Sequence, residues 1–301
     1  MNLLKTTTYF TLVILIFSQC SSRQPTSEKK EVASKVNLKG SWKLSEFIPA
    51  DSENNEWQTN GDSIIYEKHL TPDKFAWFKY DKKNEKLLGM GGGSYSIANG
   101  QYIEDIKFFY PPGSSELGQS IPFDYQMKDG IWYHTGYAKV MDMDAETGEI
   151  IAIDSNKIEE KWSKIEQDGS NDQSLLGTWK LDKYLDENQK DFVEYPGFVD
   201  YIKMITPTHF TWVYYNNEGD EIYAAGSGTY GYKDNQYSEN IRMIYPGNSG
   251  QLGSNIKFTS SINSGKWKHA GYIPSITVDD ETGQEKRDST FIDEIWVRAG
   301  E

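Results

Sequence analysis

The chain has a single cysteine, Cys20, in 301 residues, so no internal disulfide can brace its fold. It is also short of base, with 31 Lys and Arg against 45 Asp and Glu. The resulting net charge of −14 repels phosphate backbones and excludes the basic footprint that nucleic-acid binding requires. An anionic membrane face is a poor partner for the same reason. The apolar run from Tyr9 to Phe17 falls short of the roughly 20 residues that a membrane-spanning helix needs. Histidine is scarce, with only four residues in the chain.

Aromatic residues are abundant. Twenty Tyr, 13 Phe and nine Trp make up 14% of the sequence, alongside 26 Gly and a mean hydropathy of −0.68, a mixture that favours strands and turns over helices. The stretch Trp132-Tyr133-His134-Thr135-Gly136-Tyr137 returns 135 positions later as Trp267-Lys268-His269-Ala270-Gly271-Tyr272. From Tyr66 to Gly148 the two copies hold that offset without net insertion or deletion. The period is far longer than the roughly 20 to 50 residues of solenoid repeats, so each copy reads as a closed domain large enough to bury its own core.

Each copy opens on Gly-x-Trp, at Gly40-Ser41-Trp42 and Gly177-Thr178-Trp179. Thr71-Pro72 and Thr206-Pro207 then turn the chain into Phe75-Ala76-Trp77 and Phe210-Thr211-Trp212. Further turns fall at Asn99-Gly100 and Asp234-Asn235, at Asp129-Gly130 and Ser264-Gly265, and at Thr147-Gly148 and Thr282-Gly283. A Gly/Ser-rich loop of fixed length, residues 112–120 and 247–255, reads as a shaped lid or rim. The last strands carry Glu160-Lys161-Trp162 and Glu294-Ile295-Trp296. Seven or eight strands per copy, joined by short turns, give an all-β chain of two tandem antiparallel up-and-down barrels.

A Gly-x-Trp answered by a basic residue near the end of the last strand resembles the lipocalin pattern of the calycin superfamily. Each copy, over residues 38–165 and 176–299, is similar to the lipocalin-like domains of secreted bacterial proteins, a family without an established activity. The resemblance implies that Lys164 packs across Trp42, and Arg298 across Trp179, to close one end of each barrel. Copy 1 departs from the family by carrying Lys164 in place of Arg.

A lipocalin-type barrel is a cup that holds its ligand among inward side chains. Alternation puts Trp132 and His134 on one face of their strand and Tyr102 and Glu104 on one face of another, although Tyr102 and Glu104 share the polar half of their pattern with Lys107. Trp267, His269, Tyr237 and Glu239 repeat the arrangement, with Arg242 in the place of Lys107, and Trp77 and Trp212 add an aromatic wall. A Glu–His pair inside the barrel is expected to raise the imidazole pKa and lower that of the acid. No nucleophile stands beside a base and no second carboxylate is seen to recur nearby. The expectation is therefore a ligand-orienting or structural network, with no catalytic residues, metal or cofactor. Asp142-x-Asp144-x-Glu146-x-Gly148 reads as an acidic hairpin turn, not a calcium loop, and His69 and His209, at different repeat positions, receive no joint role.

These readings favour a small, partly apolar ligand in one or both cups. One alternative is a non-catalytic scaffold with filled barrels that contacts a glycan or protein; a weaker one is an enzyme using Glu104/His134 and Glu239/His269. Residues 1–19 read as a signal peptide, 20–36 as a flexible tether, 37–167 and 175–301 as the barrels, and 168–174 as their linker. Cys20, just behind the apolar run, resembles the lipid-modified cysteine of bacterial lipoproteins and implies a cell-envelope address, or secretion if it is not lipidated. Cys20→Ala is expected to move the protein from the membrane fraction to the soluble fraction of its host, as a fractionation blot would show.

Overall fold

A computed structural model describes residues 37–144, 147–166, 172–186, 190–247, 249–278 and 282–300. Residues 1–36, read above as signal peptide and tether and including Cys20, lie outside the described residues, as do Glu146 and residues 168–171 of the expected linker. Copy 1 consists of β1 (Gly40–Ile48), β2 (Ile64–Leu70), β3 (Lys74–Asp81), β4 (Lys86–Ala98), β5 (Gln101–Tyr110), β6 (Ser120–Lys128), β7 (Ile131–Met143) and β8 (Ile150–Lys164). Each strand pairs antiparallel with the next, and β8 returns to β1, so the eight strands close into a barrel.

Copy 2 contains β9 (Gly177–Asp186), β10 (Asp191–Glu194), β11 (Val199–Ile205), β12 (His209–Asn216), β13 (Ile222–Lys233), β14 (Gln236–Tyr245), β15 (Asn255–Asn263), β16 (Lys266–Val278) and β17 (Glu285–Arg298). The pairing of β17 with β9 closes it, while the short β10 lies against the last four residues of β9, Lys183 to Asp186. Among the described residues no helix is long and apolar enough to cross a membrane.

The strands follow from two-residue alternation, but parts of β2 to β5 and β11 to β14 bury residues of both faces. On β2, Tyr66, Lys68 and Leu70 point into the barrel, whereas Ile65, Glu67 and His69 point outward against copy 2. One apolar cluster therefore joins the barrels, with Phe78, Met90 and Phe108 facing Met204, Val213 and Tyr215. The Phe108 and Tyr215 rings meet with centroids 4.8 Å apart. A β-bulge serves this contact: pairing slips between Gly92 and Gly93, Lys107 is left without a partner, and Phe108 swings from the interior to the joint. The slip between Ser227 and Gly228 does the same for Arg242 and Met243. Lys107 and Arg242 are exposed and do not share the face of Tyr102 and Glu104 as the polar pattern suggested.

The joint is crosswise. Ser41 Oγ meets Thr206 Oγ1 at 2.7 Å and Thr71 Oγ1 meets Thr178 Oγ1 at 2.7 Å, so the first strand of each copy holds the Thr-Pro turn of the other. The Gly219 carbonyl accepts from the Phe109 N–H at 3.0 Å. Only glycine fits there, because its φ is +78° and a Cβ would stand 1.9 Å from the Lys107 carbonyl oxygen.

One polar cluster breaks the symmetry. Glu67 is buried in the joint with Arg242 Nη1 at 3.1 Å, His69 Nε2 at 3.6 Å and His209 Nε2 at 3.8 Å. Arg242 Nη1 also lies 2.9 Å from His209 Nε2, and the two imidazole centroids are 5.2 Å apart. The absence of a joint role for His69 and His209 is thus corrected: they belong to different repeat positions, and the docking of the barrels brings them together.

Burial pulls the Glu67 carboxyl upward, but His69, His209 and Arg242 outweigh it and hold it at about 2. Burial, then His69, press the His209 imidazole down to about 3. Both groups therefore bind protons less readily folded than unfolded, and the stability they contribute is lost as the medium is acidified. For His209 the window runs from about 6.5 to about 3, with a slope of roughly 1.4 kcal/mol per pH unit. Urea unfolding of wild type is expected to weaken steadily across that window, and His209→Gln is expected to have a shallower slope between pH 6.5 and 4.5.

Candidate functional site

The barrel interiors carry a duplicated polar network beneath a layer of indoles. Lys68 Nζ lies 2.7 Å from Glu104 Oε1, which also accepts from the Tyr102 hydroxyl at 2.8 Å. In copy 2, Lys203 Nζ and the Tyr237 hydroxyl each stand 2.9 Å from Glu239 Oε1. His134 Nε2 sits 2.6 Å from Glu160 Oε2, and His269 Nε2 2.7 Å from Glu294 Oε2. The same carboxylates accept from Trp162 Nε1 at 3.0 Å and Trp296 Nε1 at 3.1 Å.

All eight of the Tyr, Glu, Trp and His residues expected inside the cups are buried there, and Tyr102 meets Trp132 edge-on at 5.2 Å. The expected pairing of Glu104 with His134 and of Glu239 with His269 is corrected. Glu104 and Glu239 take the lysines, and the histidines take Glu160 and Glu294. A second carboxylate does recur, because β7–β8 register places His134 opposite Glu160 and β16–β17 register places His269 opposite Glu294. Lys68 and Lys203 were also missed, although Tyr-x-Lys stands at the same place in both copies.

Burial, then the nearby Lys68 charge, lowers the His134 pKa, and burial with Lys203 lowers that of His269. The expected rise of the imidazole is thus reversed. Burial works against ionised Glu160 and Glu294, but the bonds to His134 and His269 and the lysine charges win, leaving both acids lowered. Neutral imidazoles thus donate through Nε2–H to carboxylates, and among the described residues their buried Nδ1 atoms have no hydrogen-bond partner. Trp267 Nε1 donates to Ser260 at 2.8 Å, whereas Trp132 Nε1, with Tyr125 at the matching position, has no partner among the described residues.

Lys68 Nζ also lies 4.9 Å from the Trp162 ring centre and 5.5 Å from that of Trp132; Lys203 stands 5.0 Å from Trp296 and 5.4 Å from Trp267. Trp77 and Trp212 line the interiors half-buried, over glycines whose Cβ atoms would fall 2.9 Å and 2.5 Å from the indoles. At the closed ends, Lys164 Nζ is 5.5 Å from the Trp42 ring and the Arg298 guanidinium 3.8 Å from the Trp179 ring.

Space remains at the opposite ends. In barrel 1 a cavity of about 150 Å³ is lined by Tyr66, Lys68, Trp77, Glu104, Glu116 and Glu160, among others. Glu116, carried by the Gly/Ser-rich loop, is pushed up to about 7 by burial and by the charges of Glu104 and Glu160. Gln251 holds its place in copy 2. The mouth of barrel 2 is wider, about 420 Å³, walled by Leu181, Tyr184, Tyr195, Tyr201 and Ile292 and reaching Glu294. Tyr195, from the connection after β10, meets Tyr184 edge-on at 5.8 Å and Tyr201 at a tilt at 5.9 Å. Among the described residues no group of three His, Cys, Asp or Glu side chains could hold a metal ion.

Removing one half of a buried ion pair strands the other charge. Lys68→Met is expected to destabilise the protein by about 3–5 kcal/mol, and adding Glu104→Gln is expected to restore part of that loss, both read from urea unfolding.

No family model and no curated protein matches the chain. Among solved structures it is similar to a DUF3598-family protein of unknown function from Nostoc punctiforme, with 9% identity over 87% of this chain and 96% of that one and a TM-score of 0.21. A second likeness is to transferrin binding protein B from Haemophilus parasuis, with 8% identity over 88% of this chain and 77% of that one and a TM-score of 0.21. Scores this low carry no functional conclusion to the present chain.

Proposed function

We propose that the protein is an envelope-anchored lipoprotein that binds a small, partly apolar ligand at the mouth of barrel 2, without catalysing its conversion. The observation that carries this reading is the tyrosine-lined opening of about 420 Å³, which falls in the roughly 300–1,000 Å³ range of ligand pockets. Leu181 and Ile292 offer it apolar contact, the rings of Tyr184, Tyr195 and Tyr201 offer flat faces, and Glu294 offers an acceptor at the base. Among the described residues Glu294 Oε1 has no hydrogen-bond partner, since both neighbours of that carboxylate bond Oε2. A donor group on an otherwise apolar ligand would complete it.

Barrel 1 is the lesser site, because its cavity of about 150 Å³ admits only a few atoms among three carboxylates. The absence of catalysis is supported by Glu104, His134 and Glu160 and their counterparts Glu239, His269 and Glu294, each of which is engaged by a fixed neighbour. The tyrosine faces also favour a glycan as the flat ligand, since sugars stack on such rings. Anchoring rests on Cys20 behind the apolar run.

Native mass spectrometry of protein purified from its own host is expected to reveal a retained small molecule. Tyr195→Ala should release it and Tyr66→Ala, in barrel 1, should not. Retention unaffected by Tyr195→Ala, or no retained molecule at all, would count against the barrel 2 mouth, and a retained oligosaccharide would decide for the glycan.

A further inference from the structure

The groove between the two barrels, at the ends closed by Trp42 and Trp179, is distinct from both mouths. It encloses about 450 Å³, and its walls come from both copies: Leu70 and Pro72 on one side, Ile205 and Pro207 on the other, with Ile165 and Leu176 beside them. Hydroxyls of Ser41, Thr71 and Thr206 also line it, but the crosswise bonds Ser41–Thr206 and Thr71–Thr178 already satisfy them. An apolar body can therefore lie against the groove without stranding a buried polar group.

Two ammonium groups stand at its rim. The Lys164 side chain is exposed, and its described contact is the Trp42 ring, with no carboxylate or carbonyl partner among the described residues. Arg298, its counterpart, is tied to the carbonyls of Leu176 and Ser174. Lys39 is likewise exposed; its backbone N–H bonds Asn37, and its ammonium has no ion-pair partner among the described residues. In a chain of net charge −14, two unpaired cations beside one apolar groove select for charge, and the single acid in the lining, Glu166, keeps the demand to about one negative charge.

We propose that this groove binds an amphipathic organic monoanion, a carboxylate head on a short apolar body, with the head held by Lys39 and Lys164 and the body between Pro72 and Pro207. A cation of the same shape would be repelled, and a polyanion would meet Glu166. The site exists only in the tandem protein, since each copy supplies one wall.

Octanoate, octylammonium and octanol are suitable probes in isothermal titration against the full chain. Octanoate is expected to bind one per chain and in preference to the other two, and Lys39→Glu/Lys164→Gln should weaken it by about tenfold while leaving octanol unchanged. Lys39→Glu alone, at an exposed position away from the Trp42 contact, should weaken it in part if the double variant does not fold. Tyr195→Ala should leave octanoate binding intact, which separates this groove from the barrel 2 mouth. Equal affinity for octanoate and octylammonium, failure of octanoate to bind, or octanoate affinity unmoved by Lys39→Glu would overturn the proposal.

Discussion

A small closed barrel has to fill its own interior, and this chain fills it with charge. Eight strands leave a bore just wide enough for side chains, and here Lys68 and Lys203 occupy its centre, each against a glutamate and between indole faces. Each lysine needs its carboxylate because neither is solvated, and the Tyr102 and Tyr237 hydroxyls add a second hydrogen bond to the same glutamates. The remaining free volume is pushed to the mouths. Where β10 and Tyr195 are added the mouth is wide, and where Glu116 reaches inward it is small and acidic.

This network fixes both fold and site, because the same strands that carry it inward carry the joint outward. On β2, Lys68 serves the interior while its neighbours Glu67 and His69 serve the contact between barrels. Alternation normally divides a strand between core and water; here it divides β2 between two cores. The bulges at Lys107 and Arg242 make the same division on β5 and β14, moving Phe108 and Met243 from the barrel to the joint.

Much of the architecture was legible because a repeat shows its own register. Turn dipeptides in matching places and a constant offset implied two similar barrels, and period-two alternation on β7 put Trp132 and His134 on one face, which the barrel turns inward. The partners of His134 and Glu104 were not legible, because partner choice depends on which strands are neighbours and how far each is slipped. Glu160 is distant in sequence from His134 and becomes its neighbour only through hairpin register, and Lys68 reaches Glu104 across the bore. The His69–His209 contact was hidden for a different reason. Its two residues have no equivalence under the repeat, so the symmetry that revealed the barrels concealed the place where their surfaces differ.

The crosswise hydroxyl bonds have one more meaning. Ser41 holds Thr206 as Thr178 holds Thr71, so one copy carries both halves of a self-complementary contact, the pattern of a two-fold homodimer. Joining the copies in one chain turns such an association into an intramolecular event, with an effective concentration of order millimolar set by the short connection and independent of how much protein the cell makes. It also frees the two surfaces to diverge, because a substitution in a homodimer appears twice and here appears once. Glu67 with His209, and Glu116 opposite Gln251, are differences that identical subunits could not have carried.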